Sequence, residues 1–250
     1  MGQVNSLKCN KAKIDSTHLS NKISRWGATL AGFGDVSCGL AGEFRHIPRA
    51  ISLAIKHPPL IQSIIRKKGV TAYNNQFPEI DSELESIQEK IVTYLRLQGW
   101  RALAIPPDSD QEDMRFISRL FPLFQHKTAA TCAGLGWIGK NGLLVTRQYG
   151  ARLSWATVLT DAPLEVSQKP CFGGRCGTCS RCVTACPAGA VSDREWSRTD
   201  RIKAMIDVDL CAGQLARNFP AIGKYICGVC VAACPLGKRG ETDTAGQIRI

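Results

Sequence analysis

The alternation of apolar and polar positions predicts a mixed set of helices and short strands over the first two thirds of the chain. Leu19, Ile23 and Trp26 recur at helical spacing behind Asp15 or Ser16, either of which can cap a helix start. A glycine-rich stretch follows, Ala31-Gly32-Phe33-Gly34, running on to Gly39 and Gly42. Ile51, Leu53 and Ile55 alternate with smaller or polar residues, the period of a strand, and Pro58-Pro59 ends it. The clearest helix spans 82–98: Leu84, Ile87, Ile91 and Leu95 share one face, with Glu83, Glu85 and Glu89 mostly outside it. Gly99 closes that helix. Ala102 to Ile105 reads as a short buried strand before Pro106-Pro107, and the acidic run Asp108 to Asp113 as a loop or a helix start. Lys127 to Ala133 has a helical pattern. Residues 143–146 and 152–160 read as two strands around a turn at Arg147 to Gly150, and so as a hairpin. The polar, proline-containing stretch Asp161 to Lys169 marks the expected boundary, with an α+β domain at 1–165 and a second domain at 166–250.

Cysteine changes the picture most. Nine of the 12 cysteines fall between Cys171 and Cys234. Tight Cys-x2-Cys runs followed by proline read as metal ligands in a reducing cytoplasm rather than as a disulfide framework. The first run is Cys176-x2-Cys179-x2-Cys182-x3-Cys186-Pro187, the spacing of a two-cluster bacterial ferredoxin, in which the fourth cysteine ligates the other cluster. A second run, Cys227-x2-Cys230-x3-Cys234-Pro235, repeats its end, and Cys211 lies between the two. The ligand count closes on two 4Fe–4S clusters. Cys176, Cys179, Cys182 and, crossing over, Cys234 hold the first; Cys227, Cys230, Cys211 and, crossing over, Cys186 hold the second. Zinc ribbons share the Cys-x2-Cys pairs but do not need the Cys-x3-Cys-Pro tails. Cys171 also completes a plant-type 2Fe–2S spacing with Cys176 and Cys179, but that reading strands five clustered cysteines. Cys171 is read as a bystander near a cluster and Cys132 as a small buried hydrophobe; Cys9 and Cys38 have no partner by spacing.

With 250 residues, 44% of them hydrophobic, the chain suits one large or two small globular domains. No stretch has the length and apolarity of a membrane helix, and the N-terminus lacks the apolar run of a secretory signal, so a cytoplasmic protein is expected. Met1 to Ser6 matches the short myristoylation pattern, which arises often by accident. The net charge of +11 is spread along the chain and permits an anionic partner such as RNA or a phosphorylated cofactor.

Gly134-Leu135-Gly136-Trp137-Ile138-Gly139 matches the dinucleotide fingerprint letter for letter. That fingerprint requires a strand before it and a helix after it, whereas the pattern here is a helix before and a strand after. Taken with Lys140-Asn141, with Val158 to Leu164 and with the two cysteine runs, the string instead resembles epoxyqueuosine reductase, and more distantly the reductive dehalogenases. The resemblance is specific over roughly 126–236 and weak over 20–125. It implies a nitroreductase-like cobalamin-binding domain ahead of the ferredoxin-like module, with Gly134 to Asn141 against the corrinoid. Electrons from an external low-potential donor would pass through the clusters to the cobalt. The chain departs from the family twice. No carboxylate stands in Phe121 to Ala129, where the family has an acidic proton donor; His126 and Lys127 stand there instead. Only 16 residues follow Cys234, too few for the helical repeats that help hold tRNA in many relatives. The expected function is a cobalamin-dependent reductase of a small or nucleoside-like substrate, with His126 as proton donor and Lys127 as anion holder. An electron-transfer or corrinoid-reducing protein without an organic substrate, and epoxyqueuosine reduction on tRNA, are the alternatives.

Overall fold

The computed structural model describes residues 11–58, 71–105, 107, 124–222 and 225–237, with 71–78, 221 and 222 described by backbone alone. The readings at Met1 to Ser6, Cys9, Pro59, Asp108 to Asp113 and Phe121 to Leu123 lie outside these residues. In chain order the main elements are α1 (Ser16–Arg25), β1 (Leu30–Asp35), β2 (Arg49–Lys56), α2 (Thr71–Leu97), β3 (Ala102–Ile105) and α3 (His126–Cys132). There follow β4 (Trp137–Ile138), β5 (Leu144–Val145), β6 (Leu153–Thr160), α4 (Arg181–Ala185), α5 (Val208–Ile222) and α6 (Val229–Ala233).

Asp15 caps α1 by accepting the His18 amide at 2.9 Å, and Leu19 and Ile23 are fully buried, as the spacing predicts. The four longer strands form an antiparallel sheet in the order β1-β2-β6-β3. Ile51, Leu53, Ala156 and Val158 point to one face and pack with Leu84, Ile87, Ile91 and Leu95 of α2 and with α1. Ala50 and Leu159 point to the other face and pack with Ala129 and Cys132 of α3. β2 is therefore buried on both faces, where its alternation suggested one. The glycine-rich stretch is itself a strand. A side chain at Gly34 would lie 2.7 Å from the Ala133 amide nitrogen and one at Gly32 2.9 Å from Leu135, so glycine lets the end of α3 press onto β1.

The expected hairpin is not formed. β5 pairs with β4, Trp137 opposite Val145 and Ile138 opposite Leu144, and β6 runs between β2 and β3. The physical reason is burial: Ala156 to Thr160 are buried without interruption, so both faces of β6 need cover. The turn at Thr146–Gly150 is present, but it redirects the chain from one sheet to the other. The order of elements around the glycine string is as read: α3 precedes it and β4 lies within it. After Thr160 the chain leaves the sheet and makes short helices, with α4 packed on α6. Among the described residues no helix is long and apolar enough to cross a membrane.

Candidate iron–sulfur site and its glycine-rich wall

The two cysteine runs fold into the same local shape. Cys179 precedes α4, Cys182 lies within it and Cys186 ends it; Cys227, Cys230 and Cys234 stand in the same relation to α6. Gly228 takes φ 69 between the cysteines of the second run, a left-handed turn that a side chain disfavours. Because α4 and α6 pack together, the end of each run meets the start of the other. The charged neighbours of Cys182 are Cys176, Cys234 and Cys179, whereas those of Cys211 are Cys186 and Cys227. Burial raises the Cys182, Cys211 and Cys234 thiols and pushes Cys230 up to about 12, with the neighbouring sulfurs adding to it.

Cys176, Cys179, Cys182 and Cys234 line a cavity of about 140 Å³ together with Lys140 and Asn141. A single zinc ion would draw four sulfurs to one point. Among the described residues no three His, Cys, Asp or Glu side chains converge on one ion position. Cys171 is buried in one core cluster with Cys234 and Trp137. Cys132 sits in the α3 core, its thiol raised by burial, with Arg198 Nη2 3.5 Å from its sulfur. Cys38 is exposed.

The glycine string divides between two cavities. Gly134, Leu135, Gly136 and Trp137 line a second cavity of about 290 Å³, with Leu30, Thr146, Arg147, Gln148, Cys171 and Arg175. Lys140 and Asn141 face the cysteines instead. Ile138 belongs to the core with Ala130 and Leu144, and the Gly139 amide donates to the Leu143 carbonyl at 2.8 Å. Lys140 is buried and its Nζ lies 2.8 Å from Asp193, which raises its pKa. Asn141 accepts the Leu143 amide at 3.2 Å. Gly136 owes its missing side chain to the protein itself, since a Cβ there would run into the Val145 carbonyl across the β4–β5 pair. The two cavities share a wall. Arg175 lines both, and Trp137, which lines the second, donates its indole N–H to the Cys176 sulfur at 3.5 Å.

His126 and Lys127 open α3. His126 is buried, its Nδ1 2.9 Å from Thr157 Oγ1 on β6, and Lys127 Nζ donates to the Gly142 carbonyl at 2.8 Å. Neither lines either cavity. Sequence reasoning missed Arg147, Arg152, Arg175 and Asp193. Asp193 carries a signal only in three dimensions: it has φ 59, a left-handed conformation rare outside glycine, and it is the partner of Lys140.

Paired cysteine helices enclosing thiol-lined space define an iron–sulfur protein of the two-cluster type. Residues 175–237 match the family model described as the 4Fe-4S double cluster binding domain. The wider chain is similar to epoxyqueuosine reductases. It is 32% identical over 129 residues to that of Gloeobacter violaceus, covering 47% of this chain and 37% of the relative. It is 45% identical over 67 residues to that of Synechocystis, covering 27% of this chain and 22% of the relative. The chain thus spans well under half the length of these curated relatives. Among solved structures, a reductive dehalogenase with a structure-based B12-dependent mechanism superposes with a TM-score of 0.60 at 16% identity, over 95% of this chain and 34% of that one. An epoxyqueuosine reductase solved with an epoxyqueuosine-modified tRNA stem loop superposes with a TM-score of 0.53 at 19% identity, over 89% of this chain and 65% of that one. Both show a shared fold.

Proposed function

We propose that this protein is an iron–sulfur oxidoreductase that uses two 4Fe–4S clusters to feed electrons to a corrinoid lying against the wall of Gly134 to Asn141, over the cavity that Gly134 to Trp137 line. One observation carries the reading: the cysteine cavity and the glycine-walled cavity meet at Trp137 and Arg175. A redox cofactor in one would lie against a cluster in the other. Cys176, Cys179, Cys182 and Cys234 would hold the nearer cluster, and Cys186, Cys211, Cys227 and Cys230 the farther one; the neighbours of Cys182, Cys211 and Cys234 follow this grouping, while Cys230 adjoins Cys182 as well as Cys211 and Cys227. The corrinoid supplies a strongly reducing metal centre; the protein's residues position it and set its surroundings. The nitroreductase-like description of the sheet domain, its division from the cluster module at 165/166 and a cytoplasmic location belong to the same proposal. The division is supported by the sheet ending at Thr160, ahead of the matched cluster domain.

For the substrate, the relatives favour epoxyqueuosine in tRNA over the small or free nucleoside-like molecule put first on sequence grounds. The excess of basic residues suits an RNA partner. The reading as a plain electron carrier rests on one observation, the absence of a carboxylate in Phe121 to Ala129.

The test is anaerobic reconstitution of the full chain with and without cobalamin. About eight iron and eight sulfide per chain, and binding of cobalamin at tens of micromolar or below, support the proposal. Stoichiometric zinc or about two iron overturns it. Intact clusters without cobalamin binding leave the electron carrier. Binding of a modified tRNA stem loop that weakens steeply with salt supports the tRNA substrate.

A further inference from the structure

Arg152, immediately before β6, is among the largest fully buried side chains, at 1% exposure. A guanidinium placed there costs several kcal/mol of desolvation unless its donors are bonded. Its Nη2 donates to the Cys234 carbonyl at 2.8 Å and its Nη1 to the Leu236 carbonyl. The surrounding chain is shaped to admit it. A side chain on Gly150, at φ 59, would collide with the Leu236 carbonyl, and one on Gly237, at φ 80, with the Tyr149 backbone. These two turns close over each other and set the Cys234 loop on the end of the sheet, with Arg152 between them.

The corresponding end of the other run is built differently. Cys186 ends α4 as Cys234 ends α6, and both sulfurs take backbone donors, the Ala190 amide at 3.3 Å for Cys186 and the Leu236 and Ala151 amides for Cys234; the difference is the buried Arg152 bonded to the Cys234 loop. Cys211, in α5, follows Asp207 and Asp209, both exposed. The first set has exposed carboxylates nearby too, Glu195 accepting the Gly177 amide and Asp193 paired with Lys140, so what separates the two sets is the fully buried charge of Arg152.

We propose that Arg152 is a positioning charge that raises the reduction potential of the cluster held by Cys176, Cys179, Cys182 and Cys234 above that of the other cluster. It thereby makes that cluster, the one beside the glycine-walled cavity, the terminal electron site. The step is a one-electron exchange. The cluster of Cys186, Cys211, Cys227 and Cys230, reduced by a low-potential external donor, is oxidised; the other is reduced; no bond forms or breaks. Reduction adds one negative charge, and a buried cation at short range stabilises the reduced state in a low-dielectric setting. The inference rests on the ligand partition given under the proposed function.

The experiment is a redox titration of the anaerobically reconstituted full chain, followed by electron paramagnetic resonance. Arg152→Gln is expected to shift the electron distribution between the clusters about tenfold toward the outer one, equivalent to about 59 mV for one electron. Arg152→Lys, which keeps the charge, is expected to restore most of that shift. Equal potentials in wild type and Arg152→Gln, or a shift in Arg152→Lys as large as in Arg152→Gln, overturns the proposal. Should Arg152→Gln not retain its clusters, the wild type decides. The signal altered by Cys234→Ser must be the one reduced at the higher potential, and the reverse order overturns the role of Arg152. A wild-type iron content far from about eight overturns the ligand reading itself, and this inference with it.

Discussion

The indole N–H of Trp137 points at the sulfur of Cys176 over 3.5 Å, joining the glycine string to the first cysteine run. Trp137 is buried, lines the glycine-walled cavity and opens β4. A hydrogen bond to a cluster sulfur withdraws electron density and raises the reduction potential. Trp137→Phe keeps most of the packing and removes the donor. Iron content should stay at the wild-type level while the potential of the cluster ligated by Cys176 becomes more negative in a redox titration. An unchanged potential would show that the indole serves packing alone.

Gly136 offers a second measurement on the same wall. A glycine beside a bound macrocycle invites the reading that ligand approach excludes its side chain, yet the atom in the way is the Val145 carbonyl. Gly136→Val must therefore separate β4 from β5, displacing Trp137 and the wall shared with the cysteines. Overpacking of this kind costs about 1–3 kcal/mol or more. The variant should melt earlier and assemble less iron, as well as losing any cobalamin binding. Full iron content and an unchanged melting temperature would assign the glycine to the ligand instead.

These cases show which parts of the molecule the residues announce locally. Leu19 and Ile23, and the stripe Leu84, Ile87, Ile91 and Leu95, sit in one core as their spacing implies, because helical periodicity is a property of neighbouring residues. The cysteine runs are legible for the same reason: three ligands of a cubane lie within a single short run. The pairing of β6 with β2, which brings Thr157 opposite Ser52, is not, since it joins segments about a hundred residues apart and nothing local selects the partner. β1 was hidden by its glycines, whose purpose is visible only once the end of α3 lies across them. Arg152 gave no sign, because a strand-edge arginine normally reads as solvated. Its burial depends on carbonyls at Cys234 and Leu236, more than 80 residues on.

His57 makes stability depend on pH. It follows β2, with its Nε2 3.0 Å from Ser154 Oγ, and burial first, then the charge of Arg152, lowers its pKa from 6.5 to about 4. As pH falls below 6.5 the unfolded chain takes up a proton there that the folded protein refuses. The stability is therefore fully present above pH 6.5 and is lost progressively as pH falls toward 4. Between pH 6.5 and 5 the loss amounts to about 2 kcal/mol. The anaerobic, cluster-loaded protein should lose apparent melting temperature between pH 7 and pH 5, and His57→Gln should lose less. Equal losses in the two proteins would place the acid sensitivity in the clusters or elsewhere.

His126 stands where relatives are expected to carry a proton donor, and histidine is the side chain best suited to that work near neutral pH. Its contact with Thr157 offers it a structural task as well. The ring leaves the first turn of α3 and meets Thr157 Oγ1 at 2.9 Å, and the Thr157 carbonyl is held by Gln88 Nε2 at 2.7 Å. Thr157 is fully buried at the centre of the sheet, so the ring ties helix to sheet from inside the domain. Since His126 lines neither cavity, His126→Gln is expected to keep turnover on an epoxyqueuosine substrate within about threefold of wild type. It should cost stability instead, about 1 kcal/mol for the altered buried bond, read as a lower melting temperature at unchanged cluster content. A proton donor would give the opposite pattern: turnover about 100-fold slower across pH 6 to 8, with melting temperature and clusters unmoved. Measuring turnover and melting on one preparation separates the two. The second pattern would return the proton to His126 and require the substrate to reach a ring that the folded domain buries.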